Sequence, residues 1–192
     1  MLYKYRSLDN LKFTLDILVN QRLYASPFND LNDPMEGEFI YGENKLPAWI
    51  SKFIMEERSD YRILSLTEDP NNMLMWSHYA DSHKGVALGV KPTADFAVEP
   101  VDYVAKLDLD IMQDDIIKSI FMRKLDLWKY EREHRVISNN SPFIGVEVHE
   151  IIFGINAEQT TMDLVSSVAL AFNPDVSIRQ LTERELKSNL TL

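Results

Sequence analysis

Lys129-Tyr130-Glu131-Arg132-Glu133-His134-Arg135-Val136-Ile137 gathers two carboxylates, several cations and a tyrosine into one segment. It ends on two β-branched residues, which favour strand. Extended throughout, the segment sends Glu131, Glu133 and Arg135 to one face and Arg132 and His134 to the other. The two glutamates then stand about 7 Å apart along the strand. They form either a working pair or a solvated edge neutralised by Arg132 and Arg135. Trp128 and Tyr130, immediately upstream, argue against a fully exposed edge.

The rest of the chain sets this strand among others in its middle and late parts. Leu2 to Arg6 reads as a first strand, and the spacing of Leu8, Leu11, Leu15, Leu18 and Val19 predicts a helix over 9–20. Arg22 to Ala25 is a short strand closed by Ser26-Pro27. In Phe28 to Glu36, Asp33 as N-cap, Pro34 in the first turn and Glu36 after it predict a helix start. A helix is expected over 47–58, with Trp49, Phe53 and Ile54 facing inward. Tyr61 to Thr67 reads as a strand, and Asp69-Pro70 then opens a helix through Met73, Trp76, Tyr79 and Ala80. Val86 to Val90 is an apolar strand, 101–105 a further short one, 110–124 a helix, 146–155 a strand, 161–172 a helix and 176–181 a last strand. Without a regular strand–helix–strand alternation, the pattern predicts an α+β fold with a mostly antiparallel sheet flanked by helices. With 192 residues and no repeat or Gly-, Ser- or Pro-rich linker, one domain over residues 1–192 is expected.

Composition removes several function classes. There is no cysteine, hence no thiol nucleophile, disulfide or thiolate metal site, which fits a cytosolic protein. No apolar run approaches the roughly 20 residues that span a bilayer, and Met1 to Arg6 is too polar for a secretory signal. A net charge of −10 repels phosphate backbones at long range, although Lys4, Arg6, Arg22 and Arg62 offer a local basic patch. Walker, dinucleotide-fold, nucleophile-elbow and zincin motifs are all missing. His78, His83, His134 and His149 lack metal-ligand spacing within any one element, so no metal is expected.

Four further sets of residues are candidates for a site. Met73 to Ala80 is dense in aromatics; Trp76 fits a core stripe, whereas His78 and Tyr79 have the polar-tipped rings that line pockets and stack on bases or nicotinamide. Ser65 and Thr67 put two hydroxyls on one strand face. Lys4 and Arg6 share a face with Leu2, and cations there need solvent or an anion such as a ligand phosphate. Asn29, Asp30, Asn32, Asp33 and Glu36 are most simply turn and cap residues.

Taken together, Leu2 to Arg6, Phe28 to Glu36, Met75 to Gly85 and Trp128 to Arg135 resemble the motifs of a bacterial and phage family known only as a domain of unknown function. Leu31-Asn32 departs from that pattern by lengthening its Asn-Asp-Pro turn. A more distant likeness carries an activity. A cation on the first strand, Ser-x-Thr on a middle strand, an aromatic helix, an apolar strand and then Glu-x-Glu resemble the Arg-Ser-Glu class of ADP-ribosyltransferases. That resemblance implies a split-sheet fold of their kind and NAD as substrate without a metal. Arg6 would hold NAD phosphate or ribose, Ser65 with Thr67 would orient the nicotinamide side, and Tyr79 would lie beside the nicotinamide. Glu133 would hold the ribose 2′-hydroxyl, with Glu131 toward the acceptor. It further implies a macromolecular acceptor, protein or nucleic acid, a role as a toxin or antiphage effector, and a neutralising antitoxin as partner.

Two other readings stand beside it. One is a metal-independent hydrolase or nuclease working through His78 or His134 with Glu133. The other is a non-catalytic binding or regulatory module that recognises its partner through the aromatic helix.

Overall fold

A computed structural model describes residues 1–27, 30–31, 47–57, 60–108, 115–139 and 141–188. In chain order its elements begin with β1 (Leu2–Arg6), α1 (Leu11–Asn20), β2 (Arg22–Tyr24), β3 (Ser26–Pro27), α2 (Ala48–Glu57) and β4 (Arg62–Thr67). Next come α3 (Met73–Tyr79), β5 (Val86–Pro92), β6 (Glu99–Pro100), β7 (Asp102–Val104), α4 (Ile116–Phe121) and β8 (Arg123–Leu125). A 3-10 helix (Asp126–Glu131) leads into β9 (Glu133–Ser138), followed by β10 (Phe143–Phe153), α5 (Gln159–Phe172), β11 (Ser177–Gln180) and α6 (Glu183–Ser188). The fold is α+β, and its strand pairs are mostly antiparallel, with β10–β11 and β7–β8 the parallel ones described. Among the described residues no helix is long and apolar enough to cross a membrane.

The chain folds as two compact units interleaved in sequence. The first comprises Met1–Leu23, Leu66–Asp95 and Ile144–Leu192, the second Tyr24–Ser65 and Phe96–Phe143. The exchanges between them fall outside any Gly- or Ser-rich stretch, and one lies inside β4, between Ser65 and Leu66.

In the first unit β5 is the central strand. Its residues Val86 to Val90 are all buried, as expected of a strand covered on both faces. β1 pairs with it antiparallel from Leu2↔Val90 to Arg6↔Val86, and β10 pairs on its other side with His149 as a bulged extra residue. β1 also meets the end of β4 at Tyr3↔Thr67, and β11 adds in parallel to β10. Helices α1 and α5 pack together and bury Thr14, Ile17, Leu18, Val165 and Ala169. α3 packs on β1, where Trp76 meets Tyr5 edge to face with ring centroids 5.0 Å apart. The N-cap of α3 is Asn72, whose side chain accepts from the N–H groups of Leu74 and Met75. The expected cap, Asp69, instead accepts the Asn71 N–H in a turn. After α3, Asp81, Ser82 and His83 take φ of 45°, 51° and 68°, a left-handed run that non-glycine residues seldom adopt. It lets the Gly85 N–H reach the Ala80 carbonyl and the His83 N–H reach that of Trp76.

In the second unit α2 and α4 pack together, and Ile50, Ile54, Ile63, Ile117, Ile120 and Phe121 form the core. Here the expected inward face of α2 holds for Ile54 and is corrected for Trp49 and Phe53. Trp49 is 73% exposed and Phe53 45%, while Ile50 and Ile54 are buried. Both pairs have the i, i+4 spacing of a helical stripe, so periodicity cannot rank them; the isoleucines are the ones that pack beside those of α4. α4 is also shorter than expected. Asp115 caps it by accepting the Lys118 N–H at 2.8 Å, and Met122 ends it, leaving Arg123 to Leu125 as β8. Met112, expected on this helix, and the turn residues Asn29, Asn32, Asp33 and Glu36 lie outside the described residues.

Ile54→Ala should therefore destabilise the fold by about 2–5 kcal/mol, and Trp49→Ser should stay within about 0.5 kcal/mol of the parent, in urea denaturation. A larger loss for Trp49→Ser would mean that the apolar face of α2 is misassigned.

Candidate functional site

The quoted segment does not run as one strand. Residues 126–131 turn as a 3-10 helix, Arg132 closes it at φ 44°, and β9 starts at Glu133. The left-handed residue nevertheless delivers both carboxylates to one amine. Lys124 Nζ donates to Glu131 Oε2 at 2.7 Å and to Glu133 Oε2 at 3.0 Å. Arg135 Nε donates to Glu133 Oε1 at 2.6 Å and its Nη2 to Oε2 at 3.1 Å, while Nη1 donates to the Phe121 carbonyl. Ser65 also hydrogen-bonds the Glu133 carboxylate. The Glu133 N–H donates to the Tyr103 hydroxyl at 2.8 Å. All of these residues belong to the second unit.

The four charged side chains are buried and sum to zero charge, with Glu131 and Glu133 each 4% exposed. Burial by itself pushes the Glu133 carboxyl up. The charge and hydrogen bonds of Arg135, the charge of Lys124 and the Ser65 hydrogen bond override it and hold the group down at about 2. A carboxylate so acidic is a poor proton carrier near neutrality, where an effective acid or base has a matched pKa. It is well suited to act as a fixed negative charge. Arg135, Lys124 and Ser65 together fill about the four acceptor positions a carboxylate has.

The chain matches no protein-family model, no curated protein and no solved structure.

The other candidates separate into core, surface and unpaired groups. Trp76 is fully buried and its Nε1 donates to the Pro70 carbonyl at 2.9 Å, which makes it a core residue. Thr67 is buried and its hydroxyl accepts the Asp69 N–H at 3.1 Å, holding the turn after β4. His78 is exposed and lies edge-on to the half-buried Tyr79. Lys4 lies on β1 opposite Leu88. Arg6, opposite Val86, is half-buried with its guanidinium 5.7 Å from the Phe13 ring centroid. Its Nε is buried without a hydrogen-bond acceptor among the described residues, and burial lowers its pKa. His134 Nδ1 lies 3.4 Å from the Arg132 carbonyl and its ring projects from the opposite side of β9 to Glu133. Among the described residues no three His, Asp or Glu side chains are grouped as a metal site needs.

Two members of the site escape sequence reasoning. Lys124 sits at the end of a predicted helix, and only the chain reversal into β8 turns it inward. Tyr103 lies on a short strand with no pattern to mark it.

The folded-state value for Glu133 lies below its ordinary 4.5, so its contribution is present above that pH and fades as pH falls to about 2. The contribution is roughly 3 kcal/mol at neutral pH. Urea midpoints measured across this window should drop steeply in the parent and more shallowly in Glu133→Gln. Parallel curves would show that Glu133 is not held as an ionised group.

Proposed function

We propose that the chain is an NAD-dependent ADP-ribosyltransferase-like enzyme that modifies a macromolecular acceptor. The reading takes it as a member of the bacterial and phage family it resembles, with a split-sheet fold of the transferase kind. The observation that carries it is the hydrogen bond between Ser65 and the Glu133 carboxylate. These residues lie 68 positions apart in the chain and come from the two strands that the resemblance singles out. Within the first unit, the end of β4 pairs with β1, which carries Arg6. Within the second, β4 lies beside β9, which carries Glu133. Arg6 adds support as a half-buried cation whose Nε lacks an acceptor among the described residues, since such a group is stabilised by an anion like a diphosphate.

In this reading the nicotinamide–ribose bond breaks and its electron pair leaves with nicotinamide. Positive charge grows on the ribose, and the fixed charge of Glu133 offsets it. The acceptor nucleophile bonds to the same carbon and gives up its proton to Glu131, which shares the Lys124 amine with Glu133. For a ribose hydroxyl to bond Glu133, it takes over an acceptor position held by Ser65 or Lys124. A toxin or antiphage role, with a neutralising antitoxin, follows from the same resemblance.

A second reading rests on the neutrality of the quartet and its full set of hydrogen bonds. There the charges are purely structural, and the chain is a non-catalytic module recognising its partner through His78 and Tyr79.

Incubation with labelled NAD and cell extract separates the two. The parent should label a macromolecule, Glu133→Gln should lower the rate by roughly 10²–10³-fold, and Glu131→Gln should still release nicotinamide but transfer less label. Ser65→Ala keeps every ion pair and so guards against misfolding; it should slow nicotinamide release by about tenfold. No labelling by folded parent protein favours the non-catalytic module, and labelling at equal rates in the parent and Ser65→Ala overturns the place given to Ser65.

A further inference from the structure

Two cations of the first unit share one half-exposed aromatic ring. Arg6 reaches it from β1, with its guanidinium carbon 5.7 Å from the Phe13 centroid. Lys12, one residue before Phe13 on α1, holds its Nζ 5.1 Å from the same centroid. Phe13 is 49% exposed although the next residue, Thr14, is fully buried, so the ring is presented at the surface and not tucked into the α1–α5 contact. Neither cation is in an ion pair with a carboxylate among the described residues. Asp16, one turn beyond Lys12, is already held by Arg22 and Asn20. The Arg6 Nε is buried with no acceptor among the described residues. In a chain of net charge −10, two cations without a carboxylate against one ring are unlike the Lys and Arg residues elsewhere that pair with Asp and Glu. The attraction of a ring face for a cation is weak beside the cost of desolvating a guanidinium. An anion is the partner that these two cations lack, and the half-exposed Phe13 ring stands beside them.

We propose that Phe13, Arg6 and Lys12 form a nucleoside-phosphate subsite, with a base stacked on the Phe13 ring and phosphate oxygens at the two cations. Phe13 and Lys12 add a base platform and a second cation to the reading above, and the nucleotide half of NAD as the natural ligand rests on that reading. The binding test does not. The same chemistry is presented by a free nucleotide and by a single-stranded nucleic acid, and the experiment distinguishes these sources.

Binding of ADP, adenosine, inorganic pyrophosphate and a short oligodeoxyadenylate is measured by calorimetry on the full chain. ADP should bind at least about tenfold more tightly than adenosine or pyrophosphate, because stacking and phosphate contacts act together. Phe13→Ala should remove the advantage of ADP over pyrophosphate. Lys12→Gln should weaken ADP binding and flatten its salt dependence. Both positions are exposed, so both variants should keep the parent's thermal stability. An oligonucleotide that binds more tightly than ADP, with the same sensitivity to both variants, supports the subsite and assigns it to a nucleic acid strand. ADP binding no tighter than adenosine binding, or unchanged in Phe13→Ala, overturns it. ADP lacks nicotinamide, so a chain that binds it through Phe13 yet never transfers label keeps this subsite and loses the transferase reading. A chain that transfers label at the parent rate in Phe13→Ala, with ADP binding unchanged, does the reverse.

Discussion

Arg135 and Glu133 form the contact on which the second unit depends. Arg135 stands two residues after Glu133 on β9, so its guanidinium can fold back along the strand onto both carboxylate oxygens and still reach the Phe121 carbonyl. Burying that pair obliges its neighbours to finish the electrostatics. Lys124 arrives from β8, Glu131 from the end of the 3-10 helix, the Ser65 hydroxyl from β4 and the Tyr103 hydroxyl from β7. Replacing a buried ion cluster with well-packed apolar residues is often neutral or stabilising. Stability alone is therefore a weak reason to keep two carboxylates and two cations there. A fixed negative charge at the start of a strand is a functional reason, and it is the one the proposed transfer uses.

The first unit offers a contrast. Its aromatic centre, Trp76 with Tyr5, is satisfied: the indole N–H and the Tyr5 hydroxyl donate to the backbone carbonyls of Pro70 and Asp69. Burial pushes the Tyr5 phenol far up, so that centre stays neutral at any ordinary pH. Arg6, adjacent to Tyr5 in sequence but on the other face of β1, has the opposite character, because its charge is partly desolvated with no acceptor for Nε among the described residues. Strand alternation thus divides β1 into a face that carries Tyr3 and Tyr5 and a face that carries Lys4 and Arg6.

Much of this was legible in the chain because it depends on local periodicity. The first strand, the apolar run of β5 and the 3.6-residue spacing of α1 and α5 belong to single segments, and so did the capacity of Arg135 to close onto Glu133. What stayed hidden depends on partners distant in sequence. Lys124 looks like one more residue of a helix until β8 turns it onto Glu131 and Glu133. Trp49 and Phe53 have the same spacing as Ile50 and Ile54, and only the packing of α2 with α4 ranks them. Asn72 outcompetes Asp69 as the cap of α3 because the chain makes an extra turn first. The division into two units was equally invisible, since three of the four exchanges occur within strands.

The left-handed run Asp81-Ser82-His83 has a consequence for how this sequence can vary. A Cβ on Gly85 would stand 2.1 Å from the Arg6 carbonyl oxygen, and one on Gly154 would stand 2.0 Å from that of His83. The two glycines lie 69 positions apart: Gly154 is required by the chain reversal between α3 and β5, and Gly85 by that reversal at Ala80 and by the Arg6 carbonyl of β1. Neither has a tolerated neighbour in sequence space while that reversal persists. Rebuilding the loop releases Gly154, whereas Gly85 stays closed in by β1. The loop and Gly154 therefore change only together, while Gly85 answers to the pairing of β1 with β5 as well.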